Sequence, residues 1–331
     1  MKFLIAGVGS IGRRHLRNLR QVGAGDLLAY RTLQRPVPEL DGAVPIFANL
    51  DEALDQKPDA VFVTNPTSLH VATALAAARR GCHVFIEKPL SHSLDGVDEL
   101  RTVVEASDLV ALVGCNLRFH PLLRRARDLL RDGAIGQVTG ARLEVGEYLP
   151  DWHPGEDYRT GYSARRDLGG GVILTLIHEL DYAYWIFGDI EHVYAVAGRR
   201  SGLAIDVEDT ADILLRSRAG VTINVHMDYI QRPPTRTLRV TGEEGTLRWD
   251  YYQGRLALYS VQTKAWQEWA EPPGSDRNQM FLDEVSHFLD CLHGRARPLI
   301  PLREGKRVLE VALAAKRSAE SGERVSLPAA A

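Results

Sequence analysis

The sequence predicts an α/β chain in two parts: an N-terminal doubly wound parallel sheet, then an α+β domain on a large, mostly antiparallel, open sheet. Three observations predict it. Through the first 120 residues apolar runs alternate with amphipathic stretches across short connections, a rhythm that needs parallel pairing and right-handed crossovers. A glycine-rich turn follows the first apolar run. After "NLRFHPLLRRARDLLRDGAIG" the pattern changes to period-two alternation broken by turn residues, which reads as antiparallel strands.

The elements follow in order. "KFLIAGVG" is a compact apolar strand that ends in glycines. "SIGRRHLRNLRQVG" sets Ile11, Leu16, Leu19 and Val22 on one side of a helix that Gly23 is placed to close. "LLAYR" is a second strand, and "NLDEAL" opens with Asn49 followed by Glu52 in the manner of a capping box. "DAVFVTNP" is a third strand stopped by Pro66, "SLHVATALAAARRG" a helix ending at Gly81, and "HVFIEKP" a fourth strand. "SLDGVDELRTVVEAS" and "LVALVG" add another helix and strand. In the second part "QVTGARLEVGEYL", "DTADILLRS", "GVTINVHMDYI", "RTLRVTGEEGTLRWDY" and "GRLALYS" read as strands, one face covered by helices such as "TLIHELDYAYWIFG". Two helices, "NQMFLDEVSHFLDCLHG" and "REGKRVLEVALAAKRSAESG", finish the chain. The expected domains are 1–120 and 121–331, with the last helix free to pack back on the first.

Composition narrows the function. Of 331 residues, 45% are apolar and 25% charged, the balance of a folded chain long enough for two domains. A formal charge of −3 and the lack of a basic stripe interleaved with aromatics argue against nucleic acid. No apolar run reaches the roughly 20 residues of a spanning helix. Arg13 and Arg14 follow the first apolar stretch, so they do not form a twin-arginine export signal. Cys82, Cys115 and Cys291 are scattered without metal spacing, which fits reduced core thiols of a cytoplasmic protein and no metal. Positive charge is almost all arginine. Only Lys2, Lys57, Lys88, Lys264, Lys306 and Lys316 are lysines.

"GVGSIG" carries Gly7, Gly9 and Gly12 in G-x-G-x-x-G spacing, with Ser10 and Ile11 between the last two, after a strand and at the opening of a helix. One glycine serves the tight turn, one the approach of a pyrophosphate and one helix–strand packing. This is the Rossmann fingerprint of a dinucleotide site. About 20 residues on, an NAD site usually places an acid for the ribose hydroxyls, but here "LLAYRT" offers Tyr30 and Arg31. An arginine there pairs with a 2′-phosphate and points to NADP. The alternative is stacking on adenine or facing water, which leaves NAD open.

Thr64, Asn65, Pro66 and His70 of "TNPTSLH" and Glu87–Lys88 of "EKP" end parallel strands, at the edge where open α/β sheets bind ligands. A lysine at the end of a buried strand needs a partner or a task. The bland reading pairs Lys88 with Glu87. The glycine fingerprint, "TNPTSLH" and "EKP", continued by "GCNLRFHP", "GGGVILTLIHELDYAYWIFG" and "GRARPLIPLREGKRVLEVALAAKRSAESGERVSL", together resemble the Gfo/Idh/MocA oxidoreductase family over nearly the whole chain. The resemblance implies a nicotinamide-dependent dehydrogenase or reductase acting on a secondary alcohol or ketone of a sugar, sugar-nucleotide, sugar acid or cyclitol. It places Lys88 beside nicotinamide and substrate. It also implies an aspartate shortly before His178, where this chain has Thr175. That departure leaves His178 as the leading proton-transfer candidate, with the right intrinsic pKa. Thr175 is then a hydrogen-bonding group for a substrate hydroxyl, and Asp181 either orients His178 or caps structure.

Between these groups runs "YLPDWHPGEDYRTGYSARRDLGGG", polar and aromatic. Tyr148, Tyr158 and Tyr162 are expected to stack on a sugar, and Arg159 and Arg165 to pair with carboxylate or phosphate. Asn116 and Arg118 join the cofactor and substrate sets from the domain junction. A broad sheet face in the second domain calls for a second subunit, hence a homodimer or homotetramer. Three readings stay open: an anionic or nucleotide-linked sugar as substrate, a neutral cyclitol or free sugar, or a cofactor-binding sensor without turnover.

Overall fold

The computed structural model describes residues 1–32 and 44–330. These form two compact units, one of Met1–Asn116 with Arg277–Lys306, the other of Leu117–Asp276 with the chain from Arg307 onward. The division is therefore not the single break near residue 120 expected from the sequence. The segment that joins the first unit is also not simply the last helix.

In the first unit the strands are β1 (Lys2–Ala6), β2 (Asp26–Tyr30), β3 (Ile46–Phe47), β4 (Ala60–Val63), β5 (His83–Glu87) and β6 (Ala111–Gly114). They pair in the order β3-β2-β1-β4-β5-β6, all parallel. Strand order reverses between β1 and β4, which is where such sheets hold ligands at their carboxyl edge. Helices α1 (Ser10–Gln21), α2 (Leu50–Leu54), α3 (His70–Ala78) and α4 (Val97–Ala106) make the connections. Asn49 caps α2 as its sequence signals, its side chain accepting from Asp51 N at 2.7 Å and Glu52 N at 3.4 Å. The two-residue β3 escapes sequence reasoning because it is too short to show a period.

The second unit opens with α5 (Pro121–Arg131) and β7 (Val138–Gly146), then α6 (Val172–Thr175) and α7 (His178–Phe187). Strands β8 (Ile190–Gly198), β9 (Thr210–Ser217), β10 (Thr222–Asp228), β11 (Thr235–Gly242), β12 (Gly245–Asp250), β13 (Arg255–Ser260) and β14 (Ala265–Ala270) follow. The chain closes with α8 (Gln279–Leu292), α9 (Leu302–Ser321) and β15 (Val325–Ser326). The sheet order is β14-β13-β12-β11-β7-β10-β9-β8-β15, antiparallel throughout except for the parallel β7–β10 pair. Alternation is clear on β9, where Ala211, Ile213 and Leu215 are buried while Asp212, Leu214 and Arg216 face outward.

Helix α8 belongs to the first unit, and the core shows why. Phe62 of β4 and Phe85 of β5 stack at 4.7 Å, and Phe288 of α8 meets them edge-on at 5.4 and 5.6 Å. Val285 beside it is also fully buried. The apolar stripe of α8 marks it as a core helix, but nothing local tells which sheet it covers.

Candidate active site

In the first unit the candidate residues gather at the carboxyl edge of its sheet. Gly7 ends β1 with φ +111°, and a Cβ there would land on the backbone of Asn65. A Cβ on Gly12 would overlap Gly7 O and crowd Thr64 Oγ1. Thr64 uses the same contact productively, donating to Gly7 O at 2.6 Å and fixing the turn. Gly9 has nothing within 4 Å of where its Cβ would stand. Helix α1 starts there without a side-chain cap and without an acid in its first turn, so its leading N–H groups and positive dipole end face an open cradle. The buried Oδ1 of Asn65 also lacks a protein partner. The glycine turn and the uncapped helix start fit a dinucleotide's phosphates, whereas an acceptor such as Asn65 Oδ1 suits a hydroxyl or amide donor. Ser10 is exposed and Ile11 half-buried at the rim of the cradle. At the end of β2, Arg31 is half-buried, with its backbone N–H held by Phe47 O at 3.0 Å.

Lys88 follows β5 and is half-buried between two buried neighbours, Glu87 and Pro89. Glu87 carries its Oε1 to His15 Nε2 at 2.6 Å and accepts from Lys88 N through Oε2 at 3.2 Å. Glu87 therefore has a buried partner in His15 that sequence reasoning did not name. His70 is 2% exposed. One ring nitrogen meets Asn65 O at 2.9 Å and the other Pro89 O at 2.8 Å. Both were expected to touch the cofactor. Instead Glu87 places its carboxylate inside the protein, and His70, whose neutral ring has one N–H, donates to one of these two carbonyls while its other nitrogen lies against the second. Burial also lowers the pKa of His70. Pro66 is half-buried before a short 3₁₀ turn, and Asn116 is buried at the start of another.

In the second unit the GGG turn sets up the short helix α6 and then α7. A Cβ on Gly170 would overlap the carbonyl oxygens of Tyr162 and Ser163, and one on Gly171 would overlap the Glu208 carboxylate. Gly171 N donates to Ser163 O at 3.1 Å and Val172 N to Glu208 O at 2.9 Å. Lys316 pairs with the Glu208 carboxylate at 3.2 Å. Loop and helix start are thus stitched together. Thr175 is 1% exposed and His178, the first residue of α7, 7% exposed.

Arg118 and Asp181 correct their assignment to the substrate. Arg118 is 0% and Asp181 1% exposed, and the guanidinium donates to the carboxylate at 2.8, 3.0 and 3.2 Å. A fully desolvated pair of this kind fixes geometry, because losing either member would strand a buried charge. It pins α7 and so the backbone that carries His178. Next to His178, Glu179 is buried against Arg236 at 2.8 Å. Burial pushes its carboxyl pKa up, and the guanidinium pulls it back.

The loop arginines are already occupied. Arg159 pairs with Asp157 at 2.7 Å and Arg165 with Asp167 at 2.6 Å. Arg166 donates to Asp206 through its backbone N–H at 2.8 Å. Tyr158 accepts from Ala204 N at 3.1 Å, Tyr162 is half-buried, and Tyr148 lies under the Arg232 guanidinium at 3.8 Å. Sequence reasoning overlooked His15, Gly170 and Glu208. His15 was visible as a polar residue beside Leu16 on the buried side of α1, whereas Glu208 leaves no local mark.

Among the described residues no group of three His, Cys, Asp or Glu side chains is placed to hold a metal ion, and no helix is long and apolar enough to cross a membrane.

Comparison with known proteins adds the lineage. Residues 1–115 match the model of an oxidoreductase family with an NAD-binding Rossmann fold, and residues 123–248 the GFO/IDH/MocA C-terminal domain. The myo-inositol 2-dehydrogenase of Thermotoga maritima is 27% identical, over 99% of this chain and 98% of that enzyme. The D-apiose dehydrogenase of Paraburkholderia graminis is also 27% identical, over 98% of this chain and 89% of that enzyme. Among solved structures, a levoglucosan dehydrogenase in complex with NADH superposes with a TM-score of 0.87 at 18% identity, covering 99% of both chains. The WlbA dehydrogenase of Bordetella pertussis, in complex with NADH and UDP-GlcNAcA, does so with 0.82 at 24%, again over 99% of both.

Proposed function

We propose, from the premise that the chain belongs to the GFO/IDH/MocA oxidoreductase family, that it moves a hydride between a nicotinamide dinucleotide and a secondary alcohol or ketone of a sugar-like substrate. One observation carries this reading. A run of close polar contacts leads from the glycine loop through Thr64, Asn65 and His70 to the turn that presents Lys88. Bound at the glycine loop, the dinucleotide supplies or accepts the hydride. The loop N–H groups hold its phosphates. Lys88 donates to the oxygen that gains negative charge, an interaction that strengthens toward the transition state. His178 moves the proton.

The substrate class follows from the loop. Arg159 and Arg165 are matched by their own aspartates, which supports a neutral polyol stacked on tyrosine over an anionic sugar. Relatives named for myo-inositol, D-apiose and D-xylose fit that class. Arg31 favours NADP through a bidentate contact with the 2′-phosphate. A second copy of the chain covers the outer face of the second unit's sheet, where Tyr194, Val196 and Leu214 are exposed among Arg142, Glu144, Asp212 and Arg239. Both signs of charge on one patch suit a two-fold contact. The buried thiols of Cys82, Cys115 and Cys291 support a reducing compartment such as the cytoplasm.

The test is a spectrophotometric screen at the nicotinamide absorption band, with NAD and NADP, against myo-inositol, D-apiose, D-xylose and UDP-N-acetylglucosamine. Turnover of a neutral member is expected, with lower Kd for NADP that Arg31→Asp reverses toward NAD. Cofactor binding without turnover of any polyol would replace the enzyme reading with a sensor, and wild-type preference for NAD would make Arg31 a bystander.

A further inference from the structure

Two buried histidines from two different helices end on the two residues that flank Lys88. His15, 0% exposed on α1, holds the Glu87 carboxylate at 2.6 Å. Its ring packs against Phe85 at 4.9 Å and Phe62 at 5.4 Å, so neither the ring nor the carboxylate it holds has room to swing. His70, at the start of α3, reaches Pro89 O on the far side of Lys88 while its other nitrogen reaches Asn65 O. Each neutral ring has a single N–H to give, and both rings end on the residues next to Lys88, one on the Glu87 carboxylate and one on the Pro89 carbonyl.

We propose that His15 and His70 are positioning residues that together fix the backbone and direction of Lys88. The proposal rests on the reading of Lys88 as the donor to the reacting oxygen. It gives that donor the support a preorganised site requires, since a displacement of about 1 Å at such a group costs on the order of 10² in rate. Glu87 is the intermediary on one side. Both its oxygens are engaged, one by His15 and one by the Lys88 N–H, so the imidazole acts on Lys88 through a single rigid side chain.

The chain's six lysines make a direct test possible without a substrate. Reductive methylation with ¹³C-formaldehyde gives each lysine a dimethylamino signal, and Lys88→Arg identifies that of Lys88 by its loss. In the wild-type protein the Lys88 signal is expected apart from the exposed lysines and broad. In His15→Gln and in His70→Gln it should move toward the exposed positions and narrow, the other five staying in place. His83→Gln is the control. His83 lies at the opposite end of the same strand and accepts from Val110 N at 2.9 Å, so its loss should lower the melting temperature without moving Lys88. If a histidine variant fails to fold, Glu87→Gln weakens the same link while keeping the shape, and a smaller shift in the same direction is expected. A Lys88 signal unchanged in His70→Gln and in either His15→Gln or Glu87→Gln overturns the proposal, as does an equal shift in His83→Gln. If the signal moves as expected while Lys88→Met keeps wild-type turnover of a polyol, the positioning stands and the catalytic reading of Lys88 falls.

Discussion

Lys88 concentrates the chemistry at the residue scale. Its neighbours are buried and its side chain half-exposed, so removing the amine should disturb the reaction more than the fold. Lys88→Met is expected to lower kcat by about 10²–10³ while fluorescence titration still shows the dinucleotide binding. A normal rate of hydride transfer in stopped flow would retire the lysine as a donor. His226 gives a separate, pH-dependent prediction. Its hydrogen bond to Asp228, with Asp212 adding its own, holds its pKa at about 9 against an ordinary 6.5. A pKa raised by folding means stability that is complete below pH 6.5 and lost as pH climbs through 9. The melting temperature should therefore decline across that window, and His226→Gln should flatten the decline. An equal slope in the variant would assign it to other groups.

Among the elements, α8 shows what periodicity carries and what it omits. Its apolar face predicts a buried helix, yet its partners Phe62 and Phe85 lie some 200 residues earlier in the chain and leave no sign in the local sequence. Phe288→Ala should destabilise the first unit by about 3–5 kcal/mol, the usual cost of such a cavity, measured by chemical denaturation. A loss below about 1 kcal/mol would mean that the aromatic cluster closes without it. The glycine loop was legible because its spacing is local, with Gly7 and Gly12 answering to backbone a few ångströms away and Gly9 to open space at the helix start. Arg118–Asp181 was not, because the pair joins residues 63 apart and both are residue types common on surfaces. The loop arginines differ: their partners Asp157 and Asp167 lie only two residues from Arg159 and Arg165, so the pairing is local and can be read from the spacing.

For the whole molecule, the outer face of the nine-stranded sheet decides the assembly. Leu214→Glu would put a carboxylate in the middle of that face, and light scattering after gel filtration should then find a single chain where the wild type gives two or four. A wild-type monomer at micromolar concentration would remove the second subunit. The last consequence comes from the return of residues 277–306 to the first unit. On the ribosome, the parallel sheet is complete long before the helix that covers Phe62 and Phe85 exists. About 160 residues must be made in between, and at roughly 5–20 residues per second the nascent first unit waits roughly 10–30 s with that aromatic surface open. A chaperone that binds exposed apolar segments should crosslink to it in ribosome-bound chains stalled before residue 277 and release it once Phe288 has emerged.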